Sequence, residues 1–95
     1  AQSPNARRLV ASCLGTLGVA HTLAGDHEAA IEPLTQALSH GGSPRSQQIR
    51  WFYLGLAFEG LGRTAESIDA WTNSTSLLPE TRYGIRAADR LARLG

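Results

Sequence analysis

Three histidines, one cysteine and two pairs of carboxylates are the side chains with which this 95-residue chain could do chemistry. His21 and His27 straddle a glycine turn, and no HExxH or CxxC spacing sets metal ligands on one helical face. His21 is expected to be a hydrogen-bonded core histidine, and His27 and His40 surface residues. Cys13 is the only cysteine, so no intrachain disulfide can form, which fits a reducing compartment. It adjoins the packing position Leu14 and is expected to be a buried or half-buried thiol. Asp26 with Glu28, and Glu66 with Asp69, fall where helices begin. Carboxylates there complement the helix dipole, a simpler role than acid–base catalysis. The glycines form no phosphate loop. The chain is therefore read as a non-enzyme, with no catalytic residues, no metal and no cofactor.

The elements that would position any site are helices. Trp51, Leu54, Phe58 and Leu61 recur at spacings of three and four, as do Ile68, Trp71 and Thr75, which places each set on one helical stripe. Strand-like alternation is absent. Ser3-Pro4 and Ser43-Pro44 are N-cap signals with proline in the first turn. Gly25 and Gly62 stand where a left-handed C-cap is wanted. Asp26 and Thr64 can cap the helices that follow. Pro79 closes the fourth helix, and Glu80 is expected in the first turn of the fifth. Five helices follow, over about 4–24, 27–40, 45–61, 65–77 and 80–94. Pro33 falls inside the second; a kink, or water reaching the freed Ala29 carbonyl, is expected there.

The chain also repeats itself. Leu14, Leu17, Gly18, His21, Gly25, Ala30, Ile31, Leu34 and Ala37 are matched by Trp51, Leu54, Gly55, Phe58, Gly62, Ser67, Ile68, Trp71 and Ser74, every pair 37 residues apart. Net charge is +1, which favours neither a nucleic acid nor an anionic membrane as partner. No apolar run approaches the ~18–20 residues of a membrane span, so no membrane insertion is expected. All nine basic residues are arginine. Lacking methionine, the chain is expected to be an excised domain or a processed mature form. A cytoplasmic location is favoured over a processed periplasmic or secreted one.

The second unit, Trp51-x2-Leu54-Gly55-x2-Phe58, then Ser67-x3-Trp71, then Pro79, resembles the tetratricopeptide signature, and the first, Leu14-x2-Leu17-Gly18-x2-His21, then Ala30-x3-Leu34, resembles it too. The resemblance implies an all-α fold in one domain, residues 1–95: two tetratricopeptide-like helix-turn-helix repeats (11–44 and 48–81) and a C-terminal capping helix (82–94), wound as a right-handed solenoid. Gly18 and Gly55, lacking Cβ, would let the partner helix approach, with the small Ala30 and Ser67 facing them. The loop at Gly41–Ser46 absorbs the difference between 37 residues and the usual 34.

In that family the first helix of each pair lines a concave surface. Carried over, the surface offers Ser12, Gly15, Val19, Thr22 and Leu23, then Ile49, Phe52, Tyr53, Leu56 and Glu59, then Tyr83, Arg86, Arg90 and Arg93. The expected function is a protein-interaction scaffold holding a peptide or helix of another protein in an apolar groove, with Phe52, Tyr53, Ile49 and Leu56 as aromatic and aliphatic anchors. Alternatively the last helix or a symmetry mate covers that face. Arg86, Arg90 and Arg93 share one face of the last helix, expected to be a solvated outer face or, alternatively, to pair with acidic groups or a C-terminal carboxylate of a partner. The alternative functions are a self-associating homo-oligomeric module and an accessory domain of a larger enzyme. The family's chaperone-binding subgroup uses a lysine/asparagine/arginine carboxylate clamp; its matching positions here are Gly15, Val19 and Tyr53, so no binding to chaperone C-terminal tails is expected.

Overall fold

A computed structural model describes residues 4–94, with side chains from residue 5. The Ser3 cap lies outside the described residues. Five helices form, α1 (Pro4–Leu23), α2 (His27–Ser39), α3 (Pro44–Gly60), α4 (Thr64–Leu77) and α5 (Arg82–Leu94), with no strand among the described residues. Turn chemistry places most boundaries. Gly25 and Gly62 take φ of +85° and +75°, a region closed to most L-residues, and so end α1 and α3. The Ser43 hydroxyl accepts from the Ser46 N–H (3.1 Å) and starts α3 at Pro44.

Three expected details are corrected. Asp26 occupies the N-cap of α2 but its side chain makes no capping bond. Arg63, not Thr64, is the N-cap of α4, again with no capping bond. Glu80 lies in the turn before α5, because Thr81 does the capping: its hydroxyl accepts from the Gly84 N–H (3.2 Å). Pro33 does not interrupt α2, and Ala29 is exposed, so water can reach the carbonyl that Pro33 leaves free.

Each helix packs on the next, α1 and α5 both touch α3, and α2 and α4 do not meet. So α1, α3 and α5 form one layer and α2 and α4 the other. α3 alone touches all four others, which explains why apolar residues ring it. Its buried set includes Phe52, Leu54, Ala57 and Phe58 together with Gln48 and Arg50. The buried stripe of α4 is Ser67, Ala70, Trp71 and Ser74, whereas Ile68 is exposed.

The 37-residue offset is expressed in packing. A Cβ at Gly18 would overlap Leu34, coming within 2.7 Å of Cδ2; one at Gly55 would overlap the indole of Trp71, within 2.6 Å of Cδ1. Leu34 and Trp71 are themselves 37 apart, and both are fully buried. The glycines therefore face the large residue of the partner helix, not Ala30 or Ser67 as expected; those two are buried beside the contact. Trp71 also donates from Nε1 to the Phe52 carbonyl (3.2 Å), which fixes its ring against α3.

A buried polar network joins α3, α4 and α5. Gln48 donates to the carbonyls of Ser74 (2.8 Å) and Leu78 (2.7 Å), and its Oε1 accepts from Thr81 (2.6 Å). Ser74 donates back to the Gln48 carbonyl (2.9 Å). Each member is satisfied, so the network fixes register without leaving an unpaired group.

Gly55→Ala must displace a rigid, hydrogen-bonded indole, and overpacking of this kind costs ~1–3 kcal/mol. Urea denaturation is expected to show a lower midpoint at unchanged slope; an unaltered midpoint would contradict the close approach.

Candidate functional site

The expected groove divides into a filled half and an open half. In the filled half, between α3 and α5, Phe52 is 0% exposed and packs with Trp71 and Ala87. Its ring meets Tyr53 edge-on at 5.5 Å and Tyr83 at 5.3 Å, and the Arg86 guanidinium lies 4.9 Å from its centroid. Phe52 is thus core and not an accessible anchor: the last helix covers this face. Leu56, Tyr53 and Tyr83 are half-buried around the same cluster. The arginines of α5 also differ from expectation. Arg86 stacks on Phe52, and Arg90 pairs with Glu59 (3.1 Å) beside the Trp71 ring. Arg86 is nevertheless exposed, as is Arg93, which pairs with Asp89 (3.1 Å) one turn back.

In the open half, between α1 and α3, a cleft of about 300 Å³ is lined by Ser12, Gly15, Thr16, Val19, Ile49 and Arg50. It is open because Gly15 stands 37 residues before Phe52: what plugs the second junction has no side chain in the first. Thr22 is removed from the surface, since it is buried and its hydroxyl donates to the Gly18 carbonyl (2.8 Å). Leu23 is exposed at the end of α1, away from this cleft.

A second surface was not expected. α1 leaves Leu9, Val10, Leu17 and Leu23 exposed. Cys13 is exposed as well, against the expectation of a buried thiol. Adding 37 to Cys13, Leu17 and Ala20 gives Arg50, Leu54 and Ala57, the residues of α3 on which α2 packs. Leu54 is 4% exposed where Leu17 is 47%. A depression of about 490 Å³ lined by Cys13, Leu17 and Ala20 marks this face, and it meets the α1–α3 cleft through Ser12 and Thr16.

The remaining histidines fall differently from expectation. His21 is half-buried, with Nδ1 3.9 Å from the Asp26 carboxylate, rather than in the core. His27 is not a free surface residue: its ring lies against Gly60, and its Nδ1 is buried without a partner. No group of three metal-ligating side chains occurs among the described residues, and no helix among them is long and apolar enough to cross a membrane. The feature sequence reading missed is Arg50, buried with its guanidinium on the carbonyls of Ala37 (3.3 Å) and Gly41 (2.9 Å). Its spacing to Leu54 and Ala57, i, i+4 and i+7, was the available signal.

No family model, no curated protein and no solved structure matches the chain.

Burial, and after it the Tyr83 phenol, raises the Tyr53 pKa, with Arg86 opposing. The fold thus holds the protonated phenol more tightly than the unfolded chain does. That stabilisation is complete below the unfolded value of about 10 and is lost as pH rises through the folded one. Tyr53→Phe is expected to lose less stability than the parent between pH 8 and pH 11 in denaturant titrations; equal losses would contradict the placement.

Proposed function

We propose that the chain is a protein-interaction scaffold that receives a helix of another polypeptide, and that its two helical hairpins and closing helix are a tetratricopeptide-like stack of right-handed solenoid type. The matched glycine contacts and the alternation of helices between two layers support the stack. The observation that carries the function is the exposed face of α1. Its Cys13, Leu17 and Ala20 correspond to the Arg50, Leu54 and Ala57 that α2 covers on α3. A contiguous apolar face of this kind marks an interaction site on a soluble surface. The partner chemistry follows from α2 itself. The occupant is an amphipathic helix presenting small and branched residues at the spacing of Ala30, Leu34 and Ala37, read as i, i+4 and i+7. The α1–α3 cleft at Gly15, Val19 and Ile49 extends the same surface and would take a side chain of that helix.

The second reading is self-association, favoured by the length of the exposed row, which runs from Leu9 to Leu23. A second copy would bury it at an isologous interface.

A constrained helix with the sequence of residues 27–39 is the simplest probe of the α1 face. It is expected to bind the parent chain saturably, and Leu17→Glu is expected to abolish binding while changing stability by no more than ~0.5 kcal/mol, as for other surface substitutions. Binding that survives Leu17→Glu would contradict the proposal. Sedimentation without the peptide separates the readings: a monomer leaves the partner helix, and a dimer dissolved by Leu17→Glu supports self-association.

A further inference from the structure

Arg50 presents a physical problem that the interaction face does not solve. It is 7% exposed, and burying a guanidinium without an anion is costly. No carboxylate pairs with it among the described residues. Its Nη1 donates to the carbonyls of Ala37 and Gly41, which leaves Nε and Nη2 with no hydrogen bond. Neither is sealed off, since His27 Nδ1 is the one buried, unpartnered side-chain atom among the described residues. Desolvation lowers the Arg50 pKa below its usual value, in keeping with a cation short of counter-charge.

The surroundings are shaped to the guanidinium. A Cβ on Gly15 would come within 3.0 Å of Nε, and one on Gly42 within 3.2 Å of Nη1. Glycine at both positions makes room for the group: Gly15, in the wall of the α1–α3 cleft, lies beside Nε and Nη2, and Gly42 beside the bonded Nη1. Arg50 also borders a cleft of about 770 Å³ beside the α2–α3 connection, whose other polar walls are Arg7, Arg8, Ser12, His40, Ser43 and Ser46. No acidic residue lines that cleft. The sequence explains the imbalance: residues 1–25 and 33–58 hold four arginines (Arg7, Arg8, Arg45 and Arg50) and no carboxylate, although the whole chain is only +1. Arg7 and Arg8 are exposed, and neither forms an ion pair among the described residues.

We infer that this cleft, together with the α1–α3 cleft it joins at Ser12, Ser46 and Arg50, is an oxyanion site that takes a phosphate group, with Arg50 as the buried donor where the two meet and Arg7 and Arg8 as the exposed donors at its mouth. Guanidinium forks match the paired oxygens of phosphate, and the Ser46 hydroxyl, which accepts from Ser43 (3.0 Å), has its own proton to donate beside them. Free phosphate and a phosphorylated side chain on a polypeptide share this chemistry. The site does not depend on the apolar face of α1, so either can fail alone.

The test is an NMR titration of the ¹⁵N-labelled chain at fixed ionic strength, with inorganic phosphate in one arm, a phosphoserine peptide in a second and its glutamate counterpart in a third. Saturable shifts are expected at the Gly41, Gly42 and Ser46 amides and at Arg50 Nε. The Arg7→Ser/Arg8→Ser double variant, whose side chains are outside the core, is expected to bind about tenfold more weakly, the loss of roughly one charge-assisted contact. Arg63→Ser, remote from the cleft, is expected to bind like the parent. Tighter binding of the phosphopeptide than of phosphate identifies a phosphorylated chain as the source; equal binding identifies free phosphate. Shifts that chloride alone reproduces, a glutamate peptide that binds as well as the phosphopeptide, or a double variant with parental affinity would each overturn the assignment. Arg50→Gln is a second variant. If it folds, as judged by its amide spectrum, it should lose the saturable response entirely, and a folded variant that keeps it would also overturn the assignment.

Discussion

The structure depends on two places where helix backbone meets a large side chain with nothing between them. Gly18 accommodates Leu34 and Gly55 accommodates Trp71, so α1 and α2, and α3 and α4, close to a distance that any Cβ would forbid. Interiors pack at crystal-like density, so such a contact sets the geometry of a hairpin and does not merely ornament it. The small residues at Ala30 and Ser67, and again at Ala37 and Ser74, are consequences: each is fully buried because the helices are already close. The Trp71 indole then bonds the Phe52 carbonyl and ties the second hairpin to the aromatic cluster under α5.

Equivalent positions are filled differently in the two hairpins, and that asymmetry gives the molecule a closed end and an open one. Phe52 plugs the α3–α5 junction where Gly15 leaves the α1–α3 junction hollow. Leu54 and Ala57 lie under α2, while Leu17 and Ala20 face outward with no helix upon them. Gln48 has its hydrogen bonds to α4 and α5, whereas Ala11, 37 residues earlier, is simply buried. Arg50 takes the place that Cys13 holds in the first hairpin, and brings a cation to the seam between the hairpins.

Much of the fold was legible because local rules and tertiary packing agree. Helix period, Ser43-Pro44, Gly25 and Gly62 place the elements to within two residues or so. The misses share one cause: sequence periodicity tells which residues share a face, not what covers it. Phe52 lies off the Trp51–Leu54–Phe58 stripe and so resembled a free anchor, but a central helix with neighbours on every side has no free stripe. Cys13 and Leu17 lie on a good packing stripe that nothing packs upon. His27 was read from its turn, whereas its ring is set by the missing side chain of Gly60, a long-range effect. The caps assigned to Asp26 and Thr64 fail because a capping residue is one of several ways to satisfy a helix start.

The pairing of Gly18 with Leu34 and of Gly55 with Trp71 is measured most directly by nuclear Overhauser effects in the free chain. Cross-peaks from the Gly18 α-protons to the Leu34 δ-methyls, and from the Gly55 α-protons to the Trp71 indole, should appear together, the latter with a ring-current shift. Detection of one set without the other, in an otherwise assigned spectrum, would show that the two hairpins are not built alike and would contradict the equivalence on which the proposed α1 face stands.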